Sequence, residues 1–102
     1  MDLENVSDCT WQYLSDPTIL ATRLQEPKRR SPFMAPPGKT SLMLEIPCDP
    51  GSALWEMPDD DLFPVICKDL DNLAVPSQKA TGEYFSVRAR QAYPLLKVGY
   101  EQ

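Results

Sequence analysis

Apolar and polar positions alternate most plainly from Thr40 to Pro47. Leu42, Leu44 and Ile46 fall on one side there, and Ser41, Met43 and Glu45 on the other. That two-residue period predicts a β-strand. Cys9 to Leu14 alternates in part, with Trp11 and Tyr13 on one face, and Ser15-Asp16-Pro17 follows as a turn. Thr18 to Leu24 puts Ile19, Ala21 and Arg23 on one side and Thr18, Leu20, Thr22 and Leu24 on the other. This predicts a second strand, antiparallel to the first across the short turn. The period changes between Asp59 and Leu73, where Leu62, Ile66, Leu70 and Leu73 fall on one helical face. Pro64 is compatible with that helix if Asp61 is the N-cap, because Pro64 then stands in the first turn, where its missing N–H has no intrahelical partner. The run Asp59-Asp60-Asp61 complements the helix dipole, and Pro76 disfavours helical geometry at Val75 and so ends the helix. Gly82 to Leu96, with Tyr84, Phe85, Val87 and Tyr93, predicts a last long strand broken near Pro94.

Two stretches carry no period. Residues 1–9 are polar and acidic, which predicts a loose entry segment. Residues 26–38 hold four prolines and a glycine, which predicts a long loop. The order β-β-β-α-β predicts an α+β fold, a small antiparallel sheet with one packed helix, over residues 1–102 as a single partial domain.

Composition narrows the functions. The chain has 102 residues, enough for one domain with a modest core. Proline is unusually frequent, 11 residues against an average of about 5%, which favours short elements and stiffened loops. Net charge is −5, and the one basic cluster is Lys28-Arg29-Arg30. Nucleic-acid binding needs a cationic footprint, so this balance argues against it. The longest apolar run, Leu62 to Cys67, contains Pro64 and falls far short of the roughly 20 residues of a membrane span. Met1-Asp2-Leu3-Glu4 lacks the basic and apolar regions of a secretory signal. Cys9, Cys48 and Cys67 are odd in number and form no C-x-x-C pair, the pattern of a reduced, cytoplasmic chain. The sequon Asn5-Val6-Ser7 has no secretory context here.

Candidate chemistry is sparse. The chain has no histidine, which removes the commonest general base and metal ligand and both Ser-His-Asp and Cys-His arrangements. Three scattered cysteines cannot supply an all-cysteine zinc site. There is no G-x-G-x-x-G fingerprint. Gly38-Lys39-Thr40 ends like a phosphate-binding loop, but Phe33 stands where that motif needs its first glycine, and a strand follows where a helix should start. The three aspartates lack the alternation and glycine of a calcium loop and read as a helix start. Arg29-Arg30-Ser31-Pro32 fits either a phosphorylation site or a solvated loop. Trp11, Tyr13, Trp55, Tyr84, Phe85 and Tyr93 fit a flat ligand, although aromatic residues on strands more often form core. No self-sufficient catalytic site emerges.

Several stretches taken in order resemble a known family. They are Trp11-x-Tyr13 with Asp16-Pro17, then Arg23 with Glu26-Pro27-Lys28, then Ser31-Pro32 with Met34 through Leu42. Glu45, Cys48, Trp55 and Asp60-Asp61-Leu62 follow, and Arg88, Ala92-Tyr93-Pro94 and Gly99-Tyr100-Glu101 close the series. The series resembles the substrate-side region of FAD-dependent oxidoreductases of the protoporphyrinogen oxidase and phytoene desaturase-like group, in the flavin amine oxidase superfamily. The resemblance runs from about Cys9 to Gln102. It implies an oxidoreductase-like flavoprotein segment that helps wall a substrate pocket. Those enzymes hold FAD through a Gly-rich N-terminal βαβ unit and a second Gly-containing stretch, and neither is present in this sequence. The resemblance therefore implies a chain inactive by itself, with no cofactor-binding residue of its own and a flavin-binding partner or self-association to complete it. Tyr93 first, and Arg88 second, are the substrate-side positions it implies. Leu95-Leu96 departs from the tyrosine that relatives often carry there. The alternative is a stand-alone protein-interaction or ligand-binding module that reuses the fold without flavin.

Overall fold

The computed structural model describes residues 1–80, 83–94 and 96–99. Three short strands, β1 (Trp11–Tyr13), β2 (Arg23–Gln25) and β3 (Met43–Glu45), form an antiparallel sheet in the order β1-β2-β3. A one-turn helix, α1 (Ala53–Glu56), precedes the main helix, α2 (Asp59–Asn72). This is the expected α+β class, with a small antiparallel sheet and one principal helix.

Register explains the two faces of the sheet. Gln12, Leu24 and Leu44 stand opposite one another across the strands. Leu24 is buried from that row, and Leu44 packs beneath it. On α2 the expected apolar stripe supplies Leu70 to the same cluster, with Ile66 and Leu73 beside it. Val75 completes the centre. The neighbouring rows, Trp11–Gln25–Met43 and Tyr13–Arg23–Glu45, point to the other side.

The β1–β2 connection is longer than the sequence predicted. The Asp16 carboxylate accepts from the N–H and hydroxyl of Thr18, at 2.9 and 2.7 Å, and so sets the turn. Residues 18–22 do not join the strand. Ile19 and Ala21 are buried instead, and the Leu20 N–H donates to the buried Asp69 of α2 at 3.0 Å. Burial of those two side chains wins over extension of the ladder.

Helix α2 starts earlier than expected. Pro58 is its N-cap, and Pro64 sits inside the helix. The Pro64 ring removes the N–H that would reach the Asp60 carbonyl. Pro64 is exposed, so the site carries no packing to lose. Pro64→Ala should therefore raise stability by about 1–3 kcal/mol, read as a higher urea midpoint at unchanged slope. The far end closes through Ala74, in left-handed geometry at φ 59°. The N–H of Val75 donates to Leu70 O at 2.8 Å, and that of Ala74 to Asp71 O at 3.0 Å. This paired closure stops the helix and also brings Val75 onto Leu70.

Two expectations are corrected. Residues 1–9 are not loose. The Met1 ammonium donates to Thr40 O at 2.7 Å, and the Asp2 N–H to Lys79 O at 2.8 Å. Asp2 pairs with Lys39 at 2.7 Å and Glu4 with Lys28 at 2.6 Å. The cause is Glu26, whose buried carboxylate accepts from the N–H groups of Val6 (2.9 Å) and Ser7 (3.0 Å) and from the Thr40 hydroxyl (2.7 Å). The last strand also does not form among the described residues of 83–94, which pair with no strand. Gly82 and Leu95 of the expected strand lie outside the described residues. Side-chain bonds to α2 hold this segment where a ladder was expected.

Candidate functional site: the outer face of the sheet

The side of the sheet turned from the core is aromatic and charged together. Trp11 and Tyr13 meet edge to face, with ring centroids 4.9 Å apart. The Arg23 guanidinium lies 5.8 Å from the Trp11 ring centroid, within cation–π range. Arg23 also donates to Glu45 Oε1 at 2.5 Å, across the β2–β3 ladder. Gln25 Nε2 donates to the same oxygen at 2.7 Å, and Arg30 donates to Gln25 Oε1 at 3.0 Å. Glu45 thus orients two donors on adjacent rows, and its hydrogen bond raises the Arg23 pKa above its ordinary value. Among the described residues, the buried Arg23 Nε–H has no hydrogen-bond acceptor.

Tyr93 joins this face. Its hydroxyl accepts from Arg23 Nη2 at 3.4 Å, and the ring is 75% exposed. Arg88 does not join it. Its guanidinium donates to the carbonyls of Trp55 and Met57, each at 2.5 Å, and to Ser86 Oγ at 2.9 Å. Those carbonyls belong to the end of α1 and the residue just after it, so Arg88 is a tether of the C-terminal segment. On this face Tyr93 therefore stands with Arg23. Arg23, Glu45 and Gln25 were missed as site residues because each lies in a different strand or row, and only register brings them together. The one available signal was that Trp11, Tyr13 and Arg23 all occupy the same parity of their strands.

The aromatic residues are also not the core that strand positions favour. Trp11 is 44% exposed and Phe85 84%. Tyr13 is still more open than Trp11. In the proline-rich loop, an open groove of about 660 Å³ is walled by Glu4, Lys28, Pro32, Phe33, Met34 and Pro36. Phe33 is almost wholly exposed.

Burial, aided by Asp71, pushes the Cys67 thiol above its usual pKa, away from thiolate chemistry. Asp59 accepts from the N–H of Ser86 at 3.1 Å and from its hydroxyl, and these bonds hold its carboxyl below the usual range. Asp60 accepts from the Tyr84 hydroxyl at 2.7 Å. No cluster of three or more metal-ligating side chains occurs among the described residues. The start of α2 does not suit a dinucleotide either, because three aspartates occupy its first turn and would repel a pyrophosphate. Among the described residues, no helix is long and apolar enough to cross a membrane.

No protein-family model matches the chain, and no curated protein or solved structure is significantly similar to it.

Proposed function

We propose that this chain is a non-catalytic, substrate-side segment of an FAD-dependent oxidoreductase-like protein of the protoporphyrinogen oxidase and phytoene desaturase-like group. Its outer sheet face would wall a substrate pocket that a flavin-binding partner completes. The observation that carries this reading is the exposed outer face, with aromatic rings beside a fixed guanidinium. Such a face suits a flat apolar molecule, whose rings stack on the exposed Trp11 and Tyr13. Two further features support it. Among the described residues, β1 and β3 are the two edges of the sheet and pair with no further strand. The radius of gyration, 15.4 Å, exceeds the roughly 13 Å of a compact chain of this length. In such a protein the flavin carries the redox chemistry, and this chain positions substrate against it.

The test is native recovery of the affinity-tagged chain from its source cells. The purified chain alone should be colourless. The recovered material should carry flavin absorbance at one flavin per chain, held by a second polypeptide. Trp11→Ser with Tyr13→Ser should lower that recovery about tenfold, with circular dichroism unchanged. A flavin-free recovery, or one indifferent to the double variant, would move the reading to an interaction module without flavin.

A further inference from the structure

Residues 83–89 touch the rest of the molecule with a two-residue period. The Tyr84 hydroxyl reaches Asp60, Ser86 reaches Asp59, and Arg88 reaches the Trp55 and Met57 carbonyls. The Tyr84 ring stacks on Phe63 with centroids 3.9 Å apart. The alternate residues do the opposite: Phe85 and Val87 are more than four-fifths exposed. This is the contact pattern of an extended strand. Yet among the described residues no backbone–backbone hydrogen bond involves this segment. The Ser86 N–H is turned toward Asp59, so the N–H and C=O groups of Phe85 and Val87 point to the opposite, open edge.

We propose that residues 83–89 are an edge strand that pairs antiparallel with the same segment of a second copy of this chain, Phe85 of each copy opposite Val87 of the other. The register follows from parity. Only a pairing that sets odd positions against odd positions keeps both anchored faces on their own helices. Centring it on Ser86 places the aromatic Phe85 against the β-branched Val87 twice, once on each side of the two-fold axis. The residues turned to the open edge are then the ones that exchange N–H···O bonds, so Phe85 and Val87 form the hydrogen-bonded pairs. Glu83 falls opposite Ala89, and Tyr84 opposite Arg88, so no like charges oppose. Three anchors hold the strand in place before association, which lowers the ordering cost of pairing. The pair uses neither the sheet edges nor Trp11, Tyr13 and Tyr93, so it is independent of the flavin reading.

Sedimentation equilibrium of the full chain alone, over a hundredfold range of concentration, tests this. The mass should double with concentration. Val87→Pro removes one edge N–H per copy, and Phe85→Ser removes the aromatic partner. Each should weaken association about tenfold or more while leaving the monomer's circular dichroism unchanged, because both side chains are exposed. Tyr13→Ser and Met43→Ser, on the two sheet edges, should leave association as it is. A chain that stays monomeric, a dimer indifferent to Val87→Pro and Phe85→Ser, or a dimer lost through Tyr13→Ser or Met43→Ser would each overturn the proposal.

Discussion

Replacing Glu26 by glutamine should destabilise the chain by about 2–4 kcal/mol at neutral pH, although it changes one heavy atom. The carboxylate is wholly buried and accepts from Val6 N–H, Ser7 N–H, the Ser7 hydroxyl and the Thr40 hydroxyl. Arg29 Nε stands 3.8 Å away. An amide has one acceptor oxygen and a donor in place of the other. Whichever way it turns, one backbone N–H of the N-terminal arm faces a donor and stays buried and unpaired. The loss should reach beyond residue 26, because Asp2, Glu4 and Met1 are bonded through the same arm. Amide exchange at Val6 and Ser7 should accelerate most.

The same substitution makes a pH test with a fixed sign. Burial pushes the Glu26 pKa up, but the Val6 N–H, the Thr40 hydroxyl, the Ser7 N–H and Arg29 together hold it below the ordinary glutamate value. Hydrogen bonds from Lys39 to Asp2, and from Lys28 and Gly38 to Glu4, lower those carboxyls likewise. A carboxyl with a lowered folded pKa contributes its stability fully above its unfolded value, about 4.3 for glutamate, and loses it as pH falls through the folded value. The difference in urea midpoint between the wild type and Glu26→Gln should therefore be constant near neutrality. It should shrink as pH falls below about 4. A difference that grew on acidification would contradict this account of the arm.

Leu24→Ala should cost about 3 kcal/mol, from lost burial and the cavity left behind. Leu24 is 1% exposed and lies between Leu70 and Val75. Among the described residues, the buried apolar set is Ile19, Ala21, Leu24, Leu70 and Val75. With so thin a core, the urea transition should broaden as well as shift. Tyr13→Ser, one row away on the outer face, should change stability by less than about 0.5 kcal/mol. That contrast separates the two faces of one sheet: Leu24 and Leu44 belong to the core, while Trp11 and Tyr13 lie on the exposed side.

Periodicity made part of this legible in the sequence. The alternation around Leu42, Leu44 and Ile46 located β3, and the Leu62-Ile66-Leu70-Leu73 stripe located α2. The antiparallel relation of β1 and β2 also followed from their spacing. Local signals failed where a distant partner decided the outcome. Glu26 reads as a loop residue, yet it ties down the first eight residues through groups 14 to 20 positions away. Tyr84, Phe85 and Val87 have strand propensity, but Asp59 and Asp60 take the even residues before any ladder forms within the chain. Asp61 is a better N-cap type than Pro58, yet the helix begins at Asp59 and encloses Pro64. On the outer face, Tyr93 was legible as a candidate, while its contact with Arg23 was not. Arg88 is spent on carbonyls, and Arg23 comes to Tyr93 only because register turns it outward beside Glu45.

The central claim is that the outer sheet face is a wall awaiting a partner. Hydroxyl-radical footprinting of Trp11, Tyr13, Met43 and Tyr93 tests it most directly, comparing the free chain with the complex recovered natively from its source cells. The account expects all four to be readily oxidised in the free chain and protected severalfold in the complex, with Leu24 and Leu70 silent in both. Equal oxidation of the four residues in the two states would show that the partner sits elsewhere and would contradict the account.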